Sequence, residues 1–247
     1  MIALVSLMAC SLLTGATVEQ NIPWYECLKT TSPPTIDGQL TDAAWADVPE
    51  IPHFYESCSG KVAKYLTTAR LCWDNNNLYI AFRSEDPCIW GTLTKRDSAI
   101  FNEEVVEVFL QPDPKDSIYY EFEVSPRNVK FDSLIRSVTP ENRYSGNSKW
   151  TCKGLKTAVF VEGTAAEKSE SDRFWQVEIA IPFKGLKRTP PKTEEVWRAN
   201  LYRIERNDNL TEFQAWSPTL TPRPNFHVPA RFGRLIFKDL DRASDAN

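Results

Sequence analysis

Glu107 is the residue whose surroundings most suggest chemistry, and it lies in the stretch AIFNEEVVEVFL, residues 99–110. If this stretch is extended, successive side chains alternate between two faces, and Glu107 falls between Val105 and Phe109 on a face that is otherwise apolar. An unpaired carboxylate among apolar side chains is costly. Either a cation holds Glu107, or its carboxylate faces something that the protein binds.

Two further glutamates, Glu121 and Glu123, lie in the next apolar run, IYYEFEV. Two carboxyl groups roughly 5 to 9 Å apart could hydrolyse a glycosidic bond, one as the acid and the other as the base or nucleophile. Acidic residues on strands are also held in salt bridges, and Arg198, Arg203 and Arg206 follow later in the chain. At this stage both interpretations of the glutamates stand.

Other catalytic and metal chemistries find little support. The only histidines are His53 and His227, and no G-x-S-x-G elbow occurs, so a nucleophilic triad is disfavoured. The histidines have no paired ligand spacing, which argues against a zinc centre. Both methionines, Met1 and Met8, lie at the N-terminus, so haem would have to rely on two histidines that we place in loops.

Apolar alternation with period two recurs along the chain and predicts strands. The runs are TTARLCW, NLYIAFRS, IYYEFEV, LKTAVFV, FWQVEIAIP, VWRANLYRIER and GRLIF, separated by turn-rich pieces such as DNNN, QPDPKDS and TPENRYSGNS. Only LTDAAWAD is typical of a helix. The predicted class is therefore all-β, a two-sheet β-sandwich of jelly-roll or immunoglobulin-like kind. We expect Trp45, Trp73, Trp175 and Trp197 in its core.

Composition limits the class of partner. The chain has 247 residues, 42% of them hydrophobic, which is enough for the core of one large β domain. Its formal net charge is -4 and its lysines and arginines form no clustered stripe, so the sequence argues against nucleic-acid binding.

The N-terminus, MIALVSLMACSLLTGA, resembles a signal peptide. The apolar run is too short to span a bilayer and small residues follow it, so we predict a signal peptide over 1–16 with cleavage after Ala16. LMAC also resembles a bacterial lipobox, in which case Cys10 would carry a lipid anchor. Either interpretation implies a secreted, periplasmic or cell-surface protein. We expect a linker over 17–30, one domain over 31–238 and a flexible tail over 239–247.

The remaining cysteines do not form a recognisable framework. They are Cys27, Cys58, Cys72, Cys88 and Cys152, and they include no C-x-x-C pair. The pattern fits neither a zinc cluster nor a disulfide-dense scaffold, and leaves one or two disulfides or unpaired thiols as the alternatives.

An ordered series of motifs resembles family 9 carbohydrate-binding modules over roughly residues 31–238. The motifs are PTIDGQLTDAAW, LCWDNNNLYIAF, SEDP, RDSAIFNEEVVEVFLQP, YYEFEVSP, WQVEIAIP, WRANLYRIER and FHVPARFGRLIF. The resemblance implies a β-sandwich with a sugar cleft, stabilised in some members by calcium, and no catalytic activity. Asp37, Asp74 and Asp86 lie in loops where calcium ligands and ordinary turns look alike.

The resemblance also implies the ligand-binding residues. Two aromatic rings clamp a sugar at a chain end in the family, at the positions of Phe101 and Phe226. Aromatic faces stack on the C–H patches of pyranose rings, while sugar hydroxyls need polar partners. Glu107 corresponds to a carboxylate that accepts bonds from sugar hydroxyls, with Arg96 expected nearby and Asn225 beside the second ring.

Two departures from the family pattern concern the same cleft. The clamp positions are tryptophan in the best-understood sugar binders and phenylalanine here. A family arginine corresponds to Glu123, so a hydroxyl donor is replaced by an acceptor.

The sequence therefore predicts an exported, non-catalytic carbohydrate-binding protein that holds the end of a polysaccharide or oligosaccharide. Two alternatives stand beside it. One is a glycoside hydrolase that uses Glu107 with Glu121 or Glu123. The other is a structural or partner-binding sandwich whose cleft has lost its ligand.

Overall fold

The computed structural model describes residues 22–138, 143–166, 168, 171–208 and 210–239. The predicted signal peptide, with Cys10, and residues 240–247 of the predicted tail lie outside this part of the chain. None of the described helices has the length and apolar character needed to cross a membrane.

Strands account for almost all of the regular structure, which confirms the predicted all-β class. In chain order they are β1 (Trp24–Lys29), β2 (Glu50–Ile51), β3 (Tyr55–Glu56), β4 (Thr67–Trp73), β5 (Asn77–Glu85), β6 (Val105–Gln111), β7 (Ile118–Val124), β8 (Lys130–Val138), β9 (Arg143–Asn147), β10 (Lys156–Glu162), β11 (Phe174–Pro182), β12 (Val196–Asn207), β13 (Leu210–Ala215) and β14 (Gly233–Lys238). Helix α1 (Ala43–Ala46) forms within the LTDAAWAD turn, and short 3-10 helices span Ile100–Asn102 and Pro229–Arg231.

The main strands follow one hydrogen-bonded path, in the order β10-β11-β5-β4-β1-β14-β12-β6-β7-β8-β9. β1 pairs in parallel with both β4 and β14 and so connects the two halves of the path. The path curls until apolar side chains of β5 and β11 share one core with those of β6 and β12. The result is a β-sandwich, as predicted, with β1 bridging its two sides.

Residues 24–29, which we expected within a linker over 17–30, instead form β1. Tyr25 and Cys27 are buried, and the Tyr25 hydroxyl donates a hydrogen bond to the Pro49 carbonyl at 2.6 Å. Only two alternating positions are buried in this short strand, which is too few for a periodic pattern to predict it.

β9 is a second correction, because it lies within TPENRYSGNS, which we interpreted as turn-rich. Residues 144–147 are exposed, so neither face of this edge strand carries an apolar pattern. Its place is determined by pairing with β8, in which Tyr144 lies opposite Ser137. β8 and β13 were also absent from the predicted strands.

β12 separates two apolar clusters, because its side chains alternate between the two faces of the sheet. Trp197, Ala199 and Leu201 pack in the main core, whereas Tyr202 and Ile204 pack in a second cluster on the other face. All four tryptophans expected in the core are buried. Cys27, Cys58, Cys72 and Cys152 are free thiols.

The same division holds along β6. Val106 and Val108 join the main core, while Val105 and Phe109 join the second cluster. Glu107 lies between those last two residues and is only 3% exposed. Its neighbours across the sheet therefore decide what its carboxylate can do.

Candidate functional site

A pocket with a volume of about 360 Å³ opens over the second cluster. Strands β6, β7, β8 and β12 supply its floor, and the 3-10 helix at 100–102, β9, β13 and the loop at 224–227 supply its walls. Its lining residues are Phe101, Asn102, Glu107, Glu121, Glu123, Phe131, Ser133, Ile135, Tyr144, Gly146, Ser148, Ile204, Arg206, Phe213, Pro224, Asn225, Phe226 and His227. The pocket thus brings together four of the predicted ligand-binding residues: Phe101, Glu107, Asn225 and Phe226.

Strand register gathers three carboxyl groups in this pocket, which we call the pocket trio: Glu107, Glu121 and Glu123. Glu107 on β6 lies directly opposite Glu123 on β7 and, on its other side, opposite Tyr202 on β12. Glu121 precedes Glu123 by two residues and so projects from the same face of β7. One oxygen from each of the three carboxyl groups lies within 4.8 Å of the others.

Burial controls the charge of the pocket trio. Removal from water raises the pKa of Glu107 well above its usual range, and the nearby Glu121 carboxylate raises it further. Burial likewise raises the pKa of Glu121 to about 8. The pKa of Glu123 is raised first by burial and then by repulsion from Glu107 and Glu121. In the free protein near pH 7, the trio therefore retains protons.

The pocket trio lacks a cationic partner from the described part of the chain. None of its members forms an ion pair with a described lysine or arginine, so the salt bridges suggested by the sequence are not formed. Neither oxygen of Glu123 has a hydrogen-bond partner of normal geometry, although the Phe101 backbone approaches closely enough to oppose the rise in pKa. The carboxylate of Glu123 is therefore buried and unsatisfied.

The two predicted clamp rings differ in exposure. Phe101 is 41% exposed and meets Phe131 edge to face, with the ring centroids 6.3 Å apart. Phe226 is 7% exposed and stacks on Tyr202 with centroids 4.0 Å apart. Phe101 can offer a ring face to a ligand, whereas one face of Phe226 is already covered.

The sequence reasoning missed four aromatic residues of the pocket, Phe131, Tyr144, Phe213 and His227, of which Tyr144 and His227 form a stacked pair. Tyr144, half exposed on β9, stacks on His227 with ring centroids 3.4 Å apart. His227 Nδ1 shares a hydrogen bond of 2.8 Å with the Tyr119 hydroxyl, and its Nε2 lies 3.8 Å from Glu121 Oε1. Burial lowers the pKa of His227 to about 3, so its ring is neutral at pH 7.

Arg96, which we expected beside Glu107, is held elsewhere. Its guanidinium pairs with Asp132, whose side chain projects from β8 on the face opposite to the lining residues Phe131 and Ser133. Asn225 does line the pocket, and its Oδ1 also accepts a hydrogen bond of 3.0 Å from the backbone of His227. Asn225 thus shapes the loop that carries the neutral imidazole.

A second group of buried acids lies on the opposite face of the β6–β12 pair. We call Asp86, Glu104 and Glu205 the arginine trio, because the buried guanidinium of Arg203 pairs with both Asp86 and Glu205. The same guanidinium donates to the Glu85 carbonyl at 2.8 Å. The guanidinium of Arg203 therefore already supplies a cation to this group of acids.

Two of the aspartates considered as calcium ligands form ordinary turns. The Asp74 carboxylate accepts bonds from the backbone N–H groups of Asn76 and Asn77, and Asp37 accepts one from that of Gln39. These bonds are typical of aspartate in tight turns. The third, Asp86, belongs to the arginine trio, where calcium would have to compete with Arg203.

Comparison with solved structures identifies relatives of the same fold. A protein from Bacteroides uniformis, described provisionally as carbohydrate-binding, superposes with a TM-score of 0.71 at 18% identity over 87% of this chain and 98% of the other. A carbohydrate-binding module of family 9 from Caldicellulosiruptor kristjanssonii, solved with cellotriose, superposes with a TM-score of 0.60 at 17% identity over 91% of this chain and 97% of the other. At such identities the likeness shows the fold, a β-sandwich.

Sequence comparison adds a relative and a family. An "extracellular protein" from Arthroderma benhamiae is 24% identical over 177 residues, which cover 69% of this chain and 78% of the relative. The family described as carbohydrate family 9 binding domain-like matches residues 36–240, most of the chain. The chain therefore belongs to the carbohydrate family 9 binding domain-like family.

Proposed function

We propose that this protein is an exported, non-catalytic carbohydrate-binding protein that holds the end of a polysaccharide or oligosaccharide in the pocket. The observation that carries the proposal is the combination of an exposed aromatic ring with buried, unsatisfied carboxyl oxygens in one pocket of a chain from this family. The Phe101 ring can stack on the C–H face of a pyranose. Glu107 and Glu123 can accept hydrogen bonds from its hydroxyl groups.

The walls of the pocket carry both aromatic rings and polar groups of the kind that bind a sugar. Phe101 and Tyr144 are its most exposed rings, so they are better placed for stacking than Phe226, which contributes an edge of the inner wall. Asn225, Ser133 and Ser148 add groups that can both donate and accept hydrogen bonds. A small set of polar groups among aromatic walls is typical of ligand pockets.

Export is supported by two independent observations. The apolar N-terminal run has the character of a signal peptide. The Arthroderma benhamiae relative carries the description "extracellular protein". A mature N-terminus near Thr17, read by mass spectrometry of the exported protein, is the expected result, and an acylated Cys10 would instead establish the lipid anchor.

A glycoside hydrolase is the second candidate, because the oxygens of the pocket trio lie within 4.8 Å of one another. This spacing is closer to that of retaining enzymes than to the wider spacing of inverting ones. A retaining enzyme needs one carboxylate ionised while its partner is protonated. Here burial raises the pKa of all three acids, which disfavours an ionised nucleophile at neutral pH.

The test of the proposed function uses residues 17–247 on a glycan array, followed by titration calorimetry of the best ligands. We expect a dissociation constant on the order of 10 μM for a disaccharide. Reduction of the sugar end to the open alditol should abolish binding if the pocket holds that end. A reducing-sugar assay should show no product. Turnover that disappears in Glu107→Gln would establish the hydrolase, and the absence of any glycan ligand would favour the structural or partner-binding alternative.

A further inference from the structure

The pocket trio is assembled in a way that a purely structural role does not explain. Like charges directly opposite each other on paired strands are destabilising, yet Glu107 faces Glu123 across β6 and β7. Glu121 adds a third carboxyl group, with one oxygen of each within 4.8 Å of the others. The strands therefore concentrate acceptors at one point of the pocket floor.

The environment of Glu123 is a second observation that supports ligand binding at this part of the pocket floor. Its side chain lines the pocket, it is only 1% exposed, and neither of its oxygens has a hydrogen-bond partner of normal geometry. Buried polar groups in folded proteins are nearly always satisfied, so one that is unsatisfied and also lines a cavity supports a ligand at that point. When Glu123 is ionised it can only accept hydrogen bonds, so a partner that binds the carboxylate has to donate them.

The cationic side chains around the pocket do not fill this role. Arg206 lines the pocket, but its guanidinium lies over the Phe213 ring, 5.5 Å from the centroid, and forms no ion pair with the trio among the described residues. His227 approaches Glu121 to 3.8 Å, but burial keeps its imidazole neutral at pH 7. A cation that pairs with the ionised trio would therefore be supplied by a ligand rather than by these two side chains.

A protonated primary amine matches the geometry of the trio. Its three N–H donors, each reaching an oxygen at about 2.8 Å in tetrahedral directions, place the oxygens about 4.6 Å apart. The trio can accommodate that separation, because one oxygen of each carboxyl group lies within 4.8 Å of the others. A hard divalent cation instead requires about six to eight oxygen ligands, so the three carboxylates would need water or other pocket oxygens to complete its shell.

Resting on the proposed function, we propose that the pocket trio binds the protonated amino group of an amino sugar, so that the preferred ligand is a saccharide end bearing a free amine. The ring of that sugar stacks on Phe101, and its charge lies over the three carboxylates. Repulsion within the trio, which raises the pKa of Glu107 and Glu123, is what such a cation offsets. An N-acetylated sugar offers a single neutral donor at the same position and is discriminated against.

The test compares three disaccharides by titration calorimetry at neutral pH with residues 17–247. They are the glucosamine disaccharide that has the linkage of cellobiose, its fully N-acetylated counterpart, and cellobiose. Because hydrogen bonds between charged partners are about twice as strong as neutral ones, we expect the glucosamine disaccharide to bind about tenfold more tightly than either control. In Glu123→Gln this preference should disappear, while the melting temperature shows that the protein remains folded.

A second variant guards against misfolding and sharpens the result. Glu123→Arg provides the trio with its own cation, so its affinity for the glucosamine disaccharide should fall by a larger factor than its affinity for cellobiose. If Glu123→Gln does not fold, Glu121→Gln replaces it as the variant that should lose the preference.

The outcomes separate this inference from the proposed function. Equal affinity for the three disaccharides would overturn the amine preference and leave carbohydrate binding intact, whereas binding of none of them or of any array glycan would remove both. Lysine amide binding as tightly as the disaccharide would make the ligand a general amine and overturn its assignment as a sugar. Stoichiometric calcium binding that is lost in Glu123→Gln, without any amine preference, would make the trio a metal site and overturn the proposal.

Discussion

The two acidic trios lie on opposite faces of the part of the sheet formed by β6, β7 and β12, and they differ in their cationic partner. The arginine trio surrounds Arg203, whose buried guanidinium pairs with Asp86 and Glu205 and donates to the Thr67 hydroxyl at 3.3 Å. The pocket trio has no such cation among the described residues, and it opens into a cavity of about 360 Å³. Glu104 Oε2 of the arginine trio also lacks a hydrogen-bond partner, so lack of a partner alone does not distinguish the two groups. The pocket trio differs in having no internal cation among the described residues and in lining a cavity, which are the features that support the proposed ligand site.

Register on adjacent strands produces this difference. Tyr202 lies opposite Glu107, and Arg203 lies opposite Val106, so alternation along β12 sends the guanidinium away from the pocket. A shift of one residue along β12 would exchange these faces. The apolar residues on both sides of β12 hold the register, because each face is buried in its own cluster.

The largest effect should follow removal of the cation from the arginine trio. Arg203→Met leaves Asp86 and Glu205 buried without their partner, and loss of one member of a buried ion pair destabilises by about 3 to 5 kcal/mol. The free energy of unfolding from urea denaturation measures this loss. Arg234→Met, at an exposed position on β14, is the matched control and should change stability by less than about 0.5 kcal/mol. Similar losses in both variants would contradict the assigned role of Arg203.

Replacing one glutamate by methionine in each trio should change the stability of the fold in opposite directions. Glu205→Met removes a partner of Arg203 and should destabilise the fold by about 3 kcal/mol. Glu123→Met replaces an unsatisfied buried carboxyl by an apolar side chain of similar length and should stabilise the ligand-free protein by about 1 kcal/mol. Denaturation of the two variants beside the wild type gives both values. If Glu123→Met also destabilised the fold strongly, Glu123 would have an internal partner and the comparison would fail.

The pocket trio should make stability fall with rising pH. The pKa of Glu121 is about 8 in the folded protein against an ordinary value of 4.5. Its contribution to stability is therefore complete below about pH 4.5 and is lost as the pH rises to about 8. His227, with its lowered pKa, acts in the opposite direction only below about pH 6.5, so the window above that pH isolates the carboxyl groups.

Urea denaturation at pH 6.5 and pH 8 measures this effect. Glu121 should contribute about 1.5 kcal/mol to the fall in the free energy of unfolding between these values. Glu205, with a pKa of about 7, adds a separate part. Glu121→Gln should remove only the contribution of the pocket, and Glu85→Gln, at an exposed position, should remove none. An unchanged slope in Glu121→Gln would show that its pKa is not raised.

Much of the fold could be predicted because its strands bury alternate residues. The apolar alternation in FWQVEIAIP and VWRANLYRIER predicted two strands, and these segments form β11 and β12. β1 and β9 could not be predicted in this way. β1 buries only two alternating side chains, and β9 is exposed on both faces, so its position depends on β8.

The local sequence pattern was enough to single out some residues of the candidate site. Residues whose position depends on how the strands pair were missed. Glu107 stood out because it interrupts an apolar face of its own strand. Its closeness to Glu123 depends on how β6 pairs with β7, and Tyr144 and His227 meet only because β9 and a distant loop converge. Arg96 was misplaced because the alternation of β8, which sends Asp132 away from the pocket, is a property of another strand.

The most direct measurement of the central claim, that this pocket binds a carbohydrate through its exposed ring, is titration calorimetry of Phe101→Ala with the best ligand from the array. We expect a loss of about 1 to 3 kcal/mol in binding free energy, by analogy with bases stacked on aromatic rings, and an almost unchanged melting temperature. Phe160→Ala removes a ring that is 38% exposed, against 41% for Phe101, but lies on β10 at the far end of the sheet path, and it should bind as the wild type does. Equal affinity in Phe101→Ala, Phe160→Ala and the wild type would contradict the claim.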